Sequence, residues 1–530
     1  MTKRPVRFFN TTGPCNPNDH YMLPPEERLV GAQLSRYIGD KLYWVLHAPR
    51  QTGKTTFLQN WARKLNASGE VVACYVSVEE CQGVSETEKA MPAICNAIRN
   101  SAESFGVSIP PFPENDPHTM LSGILTDWAK LVVPKPLIVL FDEVDVLQDD
   151  ALVSFLRQLR KGFATRGTGT YPISVALVGM RDLKDYIVRA KDGKQVNPGS
   201  PFNVKSDSVS LSNFTKENIK RLFAERTTET GQQIEQAALD YVWEQSRGQP
   251  WIVNNLFMRA TMRILDKDDN STVTLAHVQE ARHQMILARE THLDALAYRL
   301  DDPKIRQIIE SLMIGEADPN LATGDAFRLC LDLGLVSQED GVVQVANPIY
   351  REILARHITV GPQAAIPKPD WKWKKDDGTL DMEALLKEFQ KFWRANADEW
   401  EEKSDYTEAF PHTLLMAFLQ RVVNGGGRID REYAAGRGRM DLLVEYGGQK
   451  YIIEIKITRY NKSIESVKKE GFEQIRRYRD TVAPDAPAYL VVFDRRHVGR
   501  TDENGKIKKP PAWSKRITWK VVGDVTVVGG

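Results

Sequence analysis

The stretch His47-Ala48-Pro49-Arg50-Gln51-Thr52-Gly53-Lys54-Thr55-Thr56 constrains this chain more than any other. An apolar run of strand type, Tyr43-Trp44-Val45-Leu46, precedes it, and apolar residues at helical spacing follow over 57–65. Strand, Gly-Lys-Thr turn and helix in that order form the context of a phosphate-binding loop. In such a turn the backbone N–H groups and the helix N-terminus converge on phosphate oxygens. Pro49, Arg50, Gln51, Thr52, Gly53, Lys54, Thr55 and Thr56 are therefore the expected nucleotide contacts. Lys54 is expected to reach the β- and γ-phosphates and the Thr55 hydroxyl to ligate Mg²⁺, so ATP and Mg²⁺ are the expected cofactors. Ala48 stands where the pattern has its first glycine, a position that shapes the turn and tolerates a small side chain.

A second motif lies about ninety residues on. Leu137-Ile138-Val139-Leu140-Phe141 is a continuous apolar run, as expected of a strand buried on both faces of a parallel sheet, and it ends in Asp142-Glu143. Open α/β sheets bind ligands at the carboxyl ends of their strands. Asp142 is expected in the Mg²⁺ shell, and Glu143 to orient or deprotonate the attacking water. A third buried strand, 173–179, runs into Met180-Arg181-Asp182, and Arg181 is the candidate γ-phosphate sensor. Residues 152–167 read as a basic helix and turn, offering Arg157, Arg160 and Arg166 as fingers toward a neighbouring subunit; the sequence does not choose among them. Ahead of the first strand, Tyr21 or Met22 is placed to touch an adenine ring, although packing on the sheet is the commoner use of such residues.

From 211 to 300 helical periodicity replaces strands, and Arg247-Gly248-Gln249-Pro250-Trp251 reads as a helix stop and restart. The two phosphate-site motifs, the Gly-Met-Arg strand end and a helical lid carrying Gly-Gln-Pro resemble AAA-type ATPases of the archaeal Orc and STAND-related group, over roughly residues 8–300. Residues 301–359 read as two helices, a strand pair at 333–336 and 342–345, and a last helix opening at Asn347-Pro348. This is similar to the winged helix that follows the lid in that group. Lacking a basic recognition helix, it fits protein contacts better than DNA.

The remaining chain has a different character. Residues 361–369 are Pro-rich and read as a linker. Beyond them, Arg437-Gly438-Arg439-Met440-Asp441 leads through a Gly447-Gly448 turn into Tyr451-Ile452-Ile453-Glu454-Ile455-Lys456. Period two sets Glu454 and Lys456 on one face of a strand, with Asp441 on its hairpin neighbour. Two carboxylates suit a hard, partly hydrated Mg²⁺, whose bound water becomes a stronger nucleophile, and Lys456 is placed to position that water. Asp, then Glu-x-Lys thirteen residues later, with Gln474-Ile475-Arg476-Arg477-Tyr478 on the next helix, resembles the PD-(D/E)XK nuclease superfamily and its RecB-like branch, over about residues 380–500. Met440 replaces that pattern's proline. Glu432 is similar to an additional acidic position in ATPase-linked members. The resemblance implies Asp441, Glu454 and Lys456 as catalytic residues, the two carboxylates as metal ligands, and Gln474 and Tyr478 as accessory.

Composition sets limits around these motifs. At 530 residues the chain is too long for one core. Its net charge of +1 excludes a global basic field, yet residues 421–530 hold 23 Lys and Arg against 14 Asp and Glu, suited to a polyanion. The five cysteines form no C-x-x-C pair, which argues against a zinc or disulfide framework and for a reducing cytoplasm. No apolar stretch approaches the ~18 residues of a membrane span, and no signal-peptide pattern opens the chain.

The expected fold is α/β: an ATPase core over 1–210 with a parallel sheet, a helical lid over 211–300, a winged-helix-like domain over 301–360, a linker over 361–380 and an α/β nuclease-like domain over 381–530. The expected function is an ATP-driven switch controlling a Mg²⁺-dependent nuclease. Its expected partners are nucleic acid, DNA before RNA, and further copies of the chain, with no membrane. The domain pairing resembles prokaryotic defence or mobile-element factors. The alternative is a nucleotide-dependent scaffold whose nuclease fold grips nucleic acid without cutting it.

Overall fold

The computed structural model describes residues 6–530 apart from 112–115, 165, 169, 182–187, 190–194, 197–204, 289, 314–323, 340, 366–372, 404–409, 424–426, 436–437, 459–462, 483, 495–519, 523–524 and 530. The chain divides into two compact units, Met1–Ala288 with Arg328–Ser337, and Arg289–Phe327 with Gln338–Gly530. Among the described residues no helix is long and apolar enough to cross a membrane.

The first unit is built on β1 (Leu29–Val30), β2 (Tyr43–His47), β3 (Val72–Ser77), β4 (Leu137–Asp142), β5 (Ser174–Gly179) and β8 (Lys205–Leu211), with a small hairpin of β6 (Val188–Arg189) and β7 (Gln195–Val196). The sheet order is β1-β8-β2-β5-β4-β3, parallel except for the antiparallel edge strand β1. Both faces are buried, as the continuous apolar runs require. Tyr43 and Val45 pack to one side with Val139 and Phe141, while Trp44 and Leu46 pack to the other with Ile138 and Leu140. Each such side chain taken fully from water contributes about 1.5–3 kcal/mol. Helices α1 (Leu34–Gly39) and α2 (Lys54–Ser68) cover one face, and α3 (Thr87–Ser104), α4 (Pro117–Leu131) and α5 (Asp149–Phe163) cover the other.

After the sheet the chain continues as helices α6 (Lys216–Thr230), α7 (Gln236–Ser246), α8 (Pro250–Met258) and α9 (Leu275–Leu287). A capping box starts α6, with Thr215 Oγ1 accepting from Asn218 N at 3.1 Å and Asn218 Oδ1 accepting from Thr215 N at 3.0 Å.

In the chain then come α10 (Thr291–Ala297), α11 (Pro303–Met313), α12 (Asp325–Asp332), a two-stranded sheet of β9 (Val336–Glu339) and β10 (Val342–Val345), and α13 (Pro348–Ala365). Helix α13 overturns the start of the expected linker, since Gly361 and Pro362 are helical. Pro362 has no N–H to offer the Ile358 carbonyl four residues back, and that carbonyl accepts from Arg306 Nη2 at 3.4 Å instead. Residues 366–369 of the expected linker, and the basic tail at 506–514, lie outside the described residues.

The second unit also holds α14 (Met382–Lys403), α15 (Phe410–Val423) and α16 (Ile464–Val482) around a six-stranded sheet. Its strands are β11 (Gly427–Ala435), β12 (Gly438–Tyr446), β13 (Gln449–Thr458), β14 (Ala488–Asp494), β15 (Lys520–Val522) and β16 (Val525–Gly529), in order β11-β12-β13-β14-β16-β15. The β11-β12-β13 meander is antiparallel, β13, β14 and β16 are parallel, and β15 closes the edge as an antiparallel hairpin with β16. One face, with Leu442, Val444, Ile453 and Ile455, packs on α14 and α15. The other, with Leu443, Ile452 and Leu490, packs on Val467 and Ile475 of α16.

Candidate active sites

The phosphate loop leaves the carboxyl end of β2 and enters α2 at Lys54. Gly53 sits at φ +94°, in the left-handed region that favours glycine. Lys54 is 7% exposed, and its Nζ donates to the carbonyls of Ala48 at 2.8 Å and Pro49 at 3.0 Å. Burial pushes its ammonium below the ordinary lysine range, against the pull of Asp142, Glu143 and Asp145. Asp142, at the end of β4, is fully buried and accepts from Thr55 Oγ1 at 2.6 Å. Loop and acidic motif thus meet across β5, which separates their strands. Thr55 and Asp142 offer adjacent hard oxygen donors, which suit a hard divalent cation. Tyr75, which sequence reasoning missed, donates from its hydroxyl to Asp142 Oδ2 at 3.3 Å. Its aromatic ring in a strand carried no signal of that role.

Glu143 is held at φ +60°, rare for a residue with a side chain and a mark of a position kept for function. Burial, then the charges of Asp142 and Asp145, push its carboxyl up to about 7. A group titrating there is suited to accept a proton from water at neutral pH. The raised value has a consequence for stability. The unfolded chain loses this proton near 4.5 and the folded chain near 7, so stability falls as pH rises between those values. Glu143→Gln removes the ionisation. The melting temperature of the nucleotide-free variant is expected to exceed wild type by a few degrees (roughly 2–4 °C per kcal/mol) at pH 8, with no excess at pH 4.5. Thermal unfolding at the two pH values checks this, and a gap that does not depend on pH overturns it.

The loop lines a cleft of about 650 Å³ that reaches from Lys54 and Glu143 to Tyr21, Trp251 and Asn254, large enough for a nucleotide. Tyr21 is fully buried against Phe9, with ring centroids 4.9 Å apart, and Phe9 in turn meets Phe223 of α6 and Phe257 of α8, so its packing partner is not the sheet named by the sequence. The stretch at 247–251 does more than cap a helix. Gly248, at φ +75°, lies so close to Phe214 that an added Cβ would stand 1.9 Å from the Phe214 carbonyl oxygen. Gln249 Oε1 caps Ile252 N at 2.7 Å, and Trp251 Nε1 donates to Thr11 O at 2.9 Å.

Arg181 is not among the residues lining the cleft. Its Nε pairs with Asp332 Oδ2 at 2.9 Å, and in the same corner Gly334 approaches Pro49, where a Cβ at 334 would stand 2.8 Å from the proline Cβ. Of the three arginine fingers considered, Arg166 is occupied within the unit, donating to Lys41 O and Phe163 O, both at 2.6 Å, over the Phe163 ring. Arg157 and Arg160 are exposed on α5.

In the second unit Glu454 is 1% exposed on β13, with Oε1 2.9 Å from Lys456 Nζ. Strand alternation from Ile452 sets both on the face that α16 covers. The β12–β13 ladder pairs Leu442 with Ile453, and one further step in that register sets Asp441 at Glu454. The pairs Arg431–Leu442 and Tyr433–Met440 bracket Glu432 and Asp441. The backbone therefore lines up positions 432, 441 and 454 in one row across three strands. Sequence reading had not made a strand of 427–435. The side chains of Glu432, Asp441 and Tyr478 lie outside the described residues. Gln474 is half-buried on α16, its Oε1 buried without a hydrogen-bond partner among the described residues. Glu454 supplies a hard oxygen donor at a sheltered position, in keeping with a divalent cation.

Residues 38–187 match an AAA domain, and residues 406–488 match the PD-(D/E)XK nuclease superfamily. Similar solved structures include the Walker-type ATPase PABY2304 of Pyrococcus abyssi, 13% identical, with 65% of this chain and 99% of that chain covered at a TM-score of 0.45. Cdc6p of Pyrobaculum aerophilum is 14% identical, with 61% and 90% covered at 0.33. A RuvB variant of Thermotoga maritima is 15% identical, with 57% and 84% covered at 0.31. Among curated proteins none matches the chain. The loop closed on its acidic partner and the two matched stretches agree: the chain carries an AAA-type P-loop ATPase domain toward its N-terminus and a PD-(D/E)XK nuclease-superfamily domain toward its C-terminus, both of enzyme families.

Proposed function

We propose that this protein binds and hydrolyses ATP with Mg²⁺, and that nucleotide state controls Mg²⁺-dependent cleavage of nucleic acid, DNA in preference to RNA, by the C-terminal domain. Thr55, Asp142 and Glu143 serve hydrolysis; Asp441, Glu454 and Lys456 serve cleavage. The pairing of domains, with its resemblance to such factors, favours a prokaryotic defence or mobile-element setting.

The observation that carries the coupling is the Arg181–Asp332 ion pair beside the Gly334–Pro49 approach. Residues 328–337 follow α9 in the chain and precede the nuclease domain, yet Gly334 among them meets Pro49 of the phosphate loop. A γ-phosphate that attracts Arg181 competes with Asp332 for it. A ligand shifts an equilibrium only by its differential affinity for the two states, and this competition supplies one. The test is cleavage of a labelled DNA and RNA duplex and single strand across ATP concentrations, for wild type, Lys54→Ala and Asp332→Ala. Wild-type cleavage is expected to change with ATP, Lys54→Ala to be insensitive, and Asp332→Ala to shift the ATP concentration required. Identical cleavage by all three at every concentration would leave two independent machines on one chain.

A further inference from the structure

Arg28 is the least expected group at the ATP site. It lies in the connection between the N-terminal segment and the sheet, 6% exposed, and lines the cleft beside Gly53 and Lys54. Its Nη2 donates to the Thr52 carbonyl of the phosphate loop at 2.7 Å, and its Nη1 donates to the Ser212 carbonyl at 3.0 Å. Its own carbonyl accepts from Ser212 N at 2.9 Å and from Ser212 Oγ at 2.9 Å. The guanidinium carbon stands 4.9 Å from the centroid of the Phe214 ring. One buried cation thus grips the phosphate loop and the first residues after β8, where the chain turns from sheet to helix.

We infer that Arg28 is a positioning residue for nucleotide phosphates, which sets the orientation of the Thr52–Gly53 peptide and contributes a buried positive charge that a bound triphosphate balances.

Two physical facts lead there. A trans peptide directs its C=O and N–H to opposite sides. With the Thr52 carbonyl drawn toward Arg28, the Gly53 N–H is turned to the opposite side of that peptide, away from Arg28. The contact is tight, since a Cβ at Gly53 would stand 2.8 Å from Arg28 Nη2. Glycine at 53 is favoured by its φ, and a side chain there would press on the Arg28 guanidinium. The second fact is charge. Both side-chain hydrogen bonds that Arg28 donates go to neutral carbonyls, and among the described residues no carboxylate forms an ion pair with it. Burial draws its pKa down to about 10, with Cys15 the ionisable group acting against that shift, so the guanidinium stays charged at neutral pH. A buried cation without a counter-charge destabilises the fold, and that penalty falls when an anion arrives.

This inference rests on the ATP reading, and the experiment separates the two. Full-length wild type, Arg28→Gln and Arg28→Lys are titrated calorimetrically with ATP, ADP and AMP in Mg²⁺, and each is melted without nucleotide. Arg28→Gln is expected to weaken ATP binding at least about tenfold and AMP binding far less, so the ATP-to-AMP preference falls. The nucleotide-free melting temperature should stay level or rise, because the unbalanced charge is gone. Arg28→Lys keeps the charge and should recover most of the preference. A merely structural arginine gives the reverse pattern, a lower melting temperature with the ATP-to-AMP ratio unchanged, and overturns the inference. Should Arg28→Gln not fold, a folded Arg28→Lys protein that has lost the wild-type ratio overturns it as well. Wild type that binds none of the three nucleotides removes the ATP reading itself, and this inference with it.

Discussion

Replacing Lys54 by alanine is expected to abolish measurable ATP binding. Lys54 Nζ is held against the carbonyls of Ala48 and Pro49 at the mouth of the loop, so an arriving phosphate meets a cation already in place. Removing one member of a buried charged pair costs about 3–5 kcal/mol, a loss on the order of 10²–10⁴ in affinity. The nucleotide-free protein should not suffer in proportion. Burial already disfavours the Lys54 ammonium, and the variant relieves that cost while freeing two carbonyls to water. Calorimetric titration with Mg²⁺–ATP, beside thermal unfolding of the empty protein, measures both quantities. Affinity within a few-fold of wild type would show that the loop does not hold the phosphates.

The second large effect concerns the C-terminal site. Glu454→Gln and Lys456→Ala are each expected to lower metal-dependent cleavage by about 10²–10⁴, the range for loss of a group that acts in proton transfer or positioning. ATP hydrolysis should stay near wild type. Glu454 is the informative position, because it is 1% exposed and 2.9 Å from Lys456 Nζ. The glutamine keeps its volume and its hydrogen-bonding oxygen, so lost cleavage in a folded variant reports the charge and not the packing. Asp441→Ala is expected to fall in the same range. The double variant Glu454→Gln/Lys456→Ala should be little worse than either single one, since both residues serve one step. Full cleavage by Glu454→Gln would remove this carboxylate from the metal site. A wild type that binds nucleic acid tightly and never cuts it, in any divalent metal, would favour the gripping scaffold.

Much of this was legible without a structure. Continuous apolar runs at 43–46 and 137–141 identify strands buried on both faces, and the Gly-Lys-Thr and Asp-Glu that follow them mark the ligand edge of the sheet. Alternation around Glu454 and Lys456, with Gln474 on the following helix, marks the candidate second site in the same way. These signals are local, carried by spacings of two to four residues and by residue types with a fixed chemistry. Strands that do not announce themselves locally were lost. In β8 Lys205-Ser206-Asp207-Ser208 is polar, and β11 carries Arg428, Asp430, Arg431 and Glu432, so neither forms an apolar run.

Only the tertiary structure decided which groups meet at a distance. Arg28 reaches Thr52 across 24 positions, Tyr75 reaches Asp142 across 67 and Arg181 reaches Asp332 across 151. The row of 432, 441 and 454 depends on ladder register, which a hairpin sets only once its turn and its buried face agree. An arginine in a sequence carries a charge and five donors, but nothing in its neighbours says whether water, a carboxylate or a loop carbonyl will take them. The sequence by itself determined the two chemistries and the order in which the chain presents them. Packing decided that Arg28 braces the phosphate loop and that Asp332 holds Arg181, because those partners are chosen by the closing of a core and not by any local pattern.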